Sequence, residues 1–236
     1  SIGIAGSNIR NIVSIIGPVE NDGDYEWREG LLLSDLITNP NSFLPEIDLD
    51  YGLISRKKTD GAFHFLSFQP RNIFDSNEKI PLKEQDTVYF FPQESRGDIL
   101  EGLLIDIRKQ SRAGENARVI RVSGAVHFPG EYPFTDSMSL QELILAGGGT
   151  KDSAYLLEAE ITRVGLNEEQ KAFVEHLRIG QDVMLDSNRS KNYLLKPYDS
   201  LSIKPIPLWR EGESIKISGE VNFPGTYSIK LGETLF

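Results

Sequence analysis

A chain of 236 residues with 25 basic and 35 acidic side chains carries a formal net charge of -10. That excess of acid argues against a nucleic-acid binder and against adsorption to an anionic membrane, since both need clustered Lys and Arg. Cysteine is absent, which excludes disulfides, thiolate catalysis and cysteine-based zinc sites. No run approaches the roughly 18 apolar residues of a membrane helix.

Residues 1–11 are rich in Gly and Asn and read as a frayed lead-in. Ile12 to Ile16 follows as a strand, broken at Gly17-Pro18. The loop Glu20-Asn21-Asp22-Gly23 has tight-turn chemistry, because Asp-Gly accepts left-handed backbone. Tyr25 and Trp27 then alternate with Glu26 and Arg28, predicting a second strand with one aromatic face. A short helix comes next, capped at Gly30 or Ser34, with Leu32, Leu33, Leu36 and Ile37 as its apolar stripe and Asn39-Pro40 as its stop. Phe43 to Asp50 leaves room for a helical turn. Tyr51 to Lys57 and Phe63 to Phe68 read as a hairpin turning at Asp60-Gly61, and Ile80 to Leu82 with Thr87 to Phe91 close the unit.

Gly97 to Gln110 places Ile99, Leu103, Leu104 and Ile107 on one helical face. It reads as a linker helix resting on a neighbouring domain, with contact to another chain as the alternative; Ser111 to Asn116 follows as a polar hinge. Val119 opens a second unit with a strand, a Phe-Pro-Gly turn and a short strand around Tyr132 to Phe134. Its helix is capped by Ser139 with Glu142 three residues on, a capping box, and ends in Gly147-Gly148-Gly149. Tyr155 to Val164 reads as a strand with Ala159 and Ile161 on one side. Phe173 to Leu177 fits a strand or a short helix, and Ser187 to Asn192 reads as a loop.

Self-similarity organises these elements. Gly is followed six residues later by Gly and two further on by Tyr at Gly17/Gly23/Tyr25, Gly124/Gly130/Tyr132 and Gly219/Gly225/Tyr227. Leu33, Leu140 and Leu235 recur eight residues past each Tyr. Leu82-Lys83 with Asp86, and Leu195-Lys196 with Asp199, then lead into the last strand of copies one and two. The implied organisation is a first domain at 12–93, a linker at 94–116, a second domain at 117–207 and the start of a third at 213–236. Each domain is α+β, a small mixed sheet with one helix across it. Joined by short connections, they imply an elongated arrangement, and the chain reads as an excised piece of a longer protein.

No catalytic template fits: there is no Gly-x-Ser-x-Gly, no Walker loop and no His-Glu-x-x-His. His64, His127 and His176 are far apart in the chain, and the alternation around His64 turns it toward solvent. Glu20, Asp22 and Asp24 lack the spacing of an EF-hand. No catalytic, cofactor or metal residue is therefore assigned. Arg118, Arg121 and Arg163 either form a weakly cationic strip for glycan or satisfy nearby carboxylates. Phe128 and Phe223, beside the Pro-Gly turns, either cover the hairpin as core rings or stand exposed, for stacking on sugar or for contact at a domain or subunit junction.

The stretch Val122-Ser-Gly-Ala-Val-His-Phe-Pro-Gly-Glu-Tyr132, with the Leu140 to Ile144 helix and Ala146 to Gly149, resembles the SLBB (soluble-ligand-binding β-grasp) domain. Ile217 to Tyr227 is a second close match, and Val13 to Ile37 a divergent one in which Asn21-Asp22-Gly23 replaces Phe-Pro-Gly. Tandem domains of this kind are similar to those of the outer-membrane polysaccharide export proteins. The resemblance implies a non-enzymatic, cofactor-free structural component of a capsule or exopolysaccharide export channel. It implies a homo-oligomeric ring of the full-length protein in the periplasm, attached to the outer membrane through parts outside this fragment. A polysaccharide in transit and an inner-membrane polysaccharide co-polymerase are the implied partners. Gly124, Pro129, Gly130 and Tyr132, with Gly219, Pro224, Gly225 and Tyr227, then set hairpins rather than perform chemistry. A periplasmic carbohydrate-binding module without catalysis is the alternative.

Overall fold

The computed structural model describes residues 11–58, 62–75, 79–112, 118–166, 172–209 and 214–228. The turn expected at Asp60-Gly61 and Ile229 lie outside them. The first unit contains β1 (Ile12–Ile16), β2 (Gly23–Glu26), α1 (Leu33–Leu36), β3 (Ile47–Lys57), β4 (Phe63–Phe68) and β5 (Thr87–Pro92). Strand alternation decides what is buried: Val13 and Ile15 point inward from β1 while Ser14 between them does not. Short 3₁₀ turns at Pro40–Ser42 and Pro70–Phe74 connect the elements. The helical turn thus precedes Phe43, and β3 begins at Ile47, earlier than the apolar run at Tyr51 suggests.

After α2 (Gly97–Arg112) the second unit contains β6 (Val119–Gly124), β7 (Gly130–Pro133), α3 (Leu140–Ala146), β8 (Glu158–Leu166), β9 (Ala172–Gly180), α4 (Gln181–Met184), α5 (Ser187–Asn192) and β10 (Ser200–Ile203). Its sheet runs β7-β6-β10-β8-β9, and the first runs β2-β1-β5-β3-β4, the same order element for element. Pairing senses agree as well. The opening strand is antiparallel to its hairpin partner and parallel to the last strand of the unit, β1 beside β5 and β6 beside β10. The fold is α+β, built on two mixed five-stranded sheets. A last hairpin, β11 (Ser214–Ile217) with β12 (Gly225–Ser228), repeats the opening register: Tyr227 faces Ile215 as Tyr132 faces Ile120 and Tyr25 faces Val13.

The first glycine of the first two copies, and the tyrosine of all three, have atomic reasons. Gly17 and Gly124 adopt φ of +131° and +86°, and a Cβ on either would sit 2.1 Å from a carbonyl oxygen of the closing strand, that of Phe90 or Ile203. Only glycine lets the two backbones approach so closely. The Tyr132 hydroxyl donates to the Phe128 carbonyl at 2.7 Å, Tyr227 donates to the Phe223 carbonyl at 2.8 Å, and Tyr25 donates to the Asn21 carbonyl. Each tyrosine ties down the turn before it. Their burial differs sharply, however: Tyr132 is 1% exposed but Tyr227 is 42% exposed. A hairpin supplies the hydroxyl bond by itself, whereas burial needs covering elements.

Several local expectations are corrected. The N-cap of α1 is Leu32, not Gly30 or Ser34, with Asp35 accepting from the Leu32 amide at 2.9 Å. Residues 187–192 are helical because Asp186 caps them, accepting from the amides of Asn188 and Arg189; their polar composition hides this. Of the two readings of Phe173 to Leu177, the strand is the one that forms. On α2, Leu100, Leu103 and Ile107 are buried while Ile99 and Leu104 are only partly so. The capping box at Ser139 and Glu142 is present.

Candidate functional site

Short connections alone do not join the two sheets. Tyr51, Leu53 and Phe65 of the first sheet, with Phe91, belong to one buried cluster together with Leu100, Leu103 and Ile107 of α2 and the interior of the second unit. At the centre of this seam lies Arg96, 3% exposed. Its guanidinium pairs with Asp48 and donates to the carbonyls of Ala146 and, at 3.3 Å, Leu145, which end α3. Cations are favoured at a helix C-terminus, where carbonyls lack partners. Three rings complete the cage, with Arg96 Cζ 5.0 Å from the Tyr51 centroid, 5.6 Å from Phe91 and 4.9 Å from Phe128. Such cation–π geometry gains strength when desolvated. Nothing in the polar run Gln93 to Gly97 announces this role.

The Phe-Pro-Gly turn of the second unit therefore faces the seam. Phe128 is half-buried between Arg96 and Gly148, where a Cβ would come within 2.4 Å of the ring. Beside it, α2 and the turn enclose a cavity of about 470 Å³ lined by Leu100, Leu104, Phe128, Pro129 and Tyr132. Burial pushes the Tyr132 phenol up to about 12. The equivalent Phe223 meets no such surroundings and is 79% exposed.

Arg118 and Arg121 are both engaged by carboxylates. Arg118 pairs with Asp136 at 2.7 Å and lies 5.3 Å over the Phe134 ring, while Arg121 shares Glu131 with Arg108. The Arg121 hydrogen bond holds the Glu131 carboxyl below its ordinary value. Two arginines on other strands matter more for the fold. Arg56 on β3 grips Asp86 through Nε and Nη2 at 2.9 and 2.7 Å, and Arg163 on β8 grips Asp199 at 2.8 and 2.7 Å. Each aspartate also accepts from a backbone amide three residues earlier, Lys83 or Lys196. The residues just before them, Gln85 and Tyr198, hold φ of 64° and 68°, a conformation uncommon outside glycine. The same anchor is built twice.

His64 does not face solvent as the strand alternation implies. Its side chain is 15% exposed, with Nδ1 3.1 Å from Asp136 Oδ2. Burial lowers its pKa, assisted by Lys58, Arg118 and Arg56 and opposed by Asp136. The unfolded chain then binds the proton more readily, so stability rises with pH across the histidine range and is lost on acidification. Urea midpoints measured between about pH 7 and pH 5 should fall with pH, and His64→Gln should flatten that slope. His127 Nδ1 lies 3.3 Å from the Gly149 carbonyl, and His176 contacts Glu160 at 3.1 Å. Among the described residues no group of three His, Cys, Asp or Glu could hold a metal, and no helix is long and apolar enough to cross a membrane.

No curated protein matches the chain. Residues 119–171, which hold β6, β7, α3, β8 and the Phe-Pro-Gly turn, match the family model of the SLBB domain.

Proposed function

We propose that the chain is a non-enzymatic part of a polysaccharide export apparatus, in which SLBB units act as tandem building blocks of an oligomeric wall in the periplasm. The SLBB match over residues 119–171 carries this reading, because SLBB is a binding-domain family not known for catalysis. The first sheet, with the same strand order, glycine closure and Arg–Asp anchor, is read as a divergent second copy over 12–93, and β11 with β12 as the opening of a third at 213–236. The motif residues Gly124 and Tyr132 are spent on folding, and Phe128 on the seam, which suits a scaffold. Attachment to the outer membrane would come through parts beyond this chain. The polysaccharide in transit and an inner-membrane co-polymerase are the partners this reading calls for. Sedimentation of the full-length parent in detergent tests it: a closed oligomer is expected, and a strictly monomeric species would sink the proposal.

Phe223 favours a second reading, a carbohydrate-binding module. It is 79% exposed beside exposed Tyr227 and Val221, and an open aromatic face can stack on a sugar ring. Titration with the exported polysaccharide, followed by amide shifts, should then move resonances at Phe223 and leave Phe128 unmoved. No saturable change at Phe223 removes this reading.

A further inference from the structure

A second cavity of about 310 Å³ opens on another part of the seam, between β3 and β4 of the first unit and α3 of the second. Two buried polar atoms lining it have no hydrogen-bond partner among the described residues, the Tyr51 hydroxyl and Gln141 Oε1. Tyr51 is 1% exposed, and burial, with Glu142 nearby, pushes its phenol well above the ordinary range. At neutral pH it is an uncharged donor. Buried groups of this kind are normally satisfied, and each exception calls for a reason.

The surroundings narrow the reason. Ser67 Oγ donates across the seam to Glu142 Oε1 at 2.5 Å, and the Thr135 hydroxyl donates to the same oxygen. Glu142 Oε2 receives only a long 3.5 Å contact from the Ser139 amide, so it keeps room for another donor. Asp50 closes the far side, paired with Arg71 at 2.5 Å. The lining thus offers one free phenolic donor, one free amide acceptor and a carboxylate oxygen. An anion would meet the carboxylates of Asp50 and Glu142 against the single cation of the lining, Lys191, and an apolar ligand would leave Tyr51 and Gln141 unmet. A hydroxyl both donates and accepts, so vicinal hydroxyls satisfy both sets at once.

We infer that this cavity is a binding site for a small neutral polyhydroxyl compound of about one sugar residue, held by Tyr51, Gln141 and Glu142. The volume lies at the low end of the range for ligand pockets, about 300–1,000 Å³, which suits a single ring rather than a length of polymer. Because Ser67 and Glu142 join the two units here, an occupant would also brace the seam. The inference does not depend on a channel role: the chain could form a wall without using this cavity, or use the cavity as a monomer.

The test titrates the whole chain separately with glucose, galactose, mannose and rhamnose, and with calcium chloride and sodium sulfate as the cation and anion arms. Melting temperature and amide shifts of Gln69, Gln141 and Glu142 are followed. A saturable response to at least one sugar is expected, and Tyr51→Phe should weaken it about tenfold, the loss of one well-placed hydrogen bond. Without ligand the same variant should melt as the parent does, since the hydroxyl it removes bonds to nothing. Gln141→Met, which keeps the volume and loses the acceptor, should weaken the response likewise. The inference is overturned by no saturable sugar response, by a response confined to calcium or sulfate, or by a sugar response that Tyr51→Phe and Gln141→Met leave intact. Failure of these titrations would leave the sedimentation result standing, and a monomeric parent would leave the titrations standing.

Discussion

Arg96→Ala should lower the unfolding free energy by about 3–5 kcal/mol, the cost of leaving one member of a buried ion pair uncompensated. Asp48, 8% exposed, would lose its cation, and the carbonyls of Leu145 and Ala146 would lose their donor at the end of α3. The rings of Tyr51, Phe91 and Phe128 would face a void in place of the guanidinium. Lysine should not rescue the variant, because a point charge cannot reach Asp48 and the helix end together as the planar fork does. The double variant Arg96→Met with Asp48→Asn should recover much of the loss, since it removes the stranded charge along with its partner. Urea denaturation followed by circular dichroism decides the matter. A loss under about 1 kcal/mol for Arg96→Ala would mean that the seam holds without the pair.

Asp199→Ala and Asp86→Ala should each cost about 3–5 kcal/mol on the same reasoning, and should cost alike. Both carboxylates are 1% exposed, both take two bonds from an arginine and one from a lysine backbone amide. Removing either strands a cation that is itself mostly covered, with the Arg56 and Arg163 side chains 15% and 14% exposed. It also frees a turn whose preceding residue, Gln85 or Tyr198, holds left-handed backbone. Asn at either position keeps an acceptor for the backbone amide and should cost less than Ala. Chemical denaturation of the matched pair checks this, and a large loss at one site with none at the other would mean that the two units are not held by the same device.

What the residues announce and what they conceal divides along range. The hairpins are legible because their signals are local: a glycine under the closing strand and a tyrosine whose hydroxyl reaches four residues back. Asp86 and Asp199 stand out by recurrence, but their partners do not. Arg56 sits in a run with Lys57 and Lys58 that looks like charge leading into a turn, and Arg163 sits on a strand far from Asp199 in sequence. Arg96 is the extreme case. A lone arginine between Ser95 and Gly97 looks solvated, and only the approach of Asp48, α3 and three rings from separate elements buries it. The aromatic choice at Phe128 could not be made from spacing, since the same motif gives a caged ring there and an open one at Phe223. Polar Ser187 to Asn192 passed for a loop because its cap lies one residue outside it.

In each five-stranded sheet the opening strand sits beside the closing one, β1 against β5 and β6 against β10. On the ribosome this delays completion of a unit to its last few residues. The free flank of β6 has no partner until Ser200 to Ile203 has left the exit tunnel, by which time every other strand of that sheet has already been synthesised. Such pairing between sequence-distant segments slows folding and prolongs the exposure of an adhesive edge. A nascent chain halted between Val119 and Ser200 should accordingly be a target for holding chaperones.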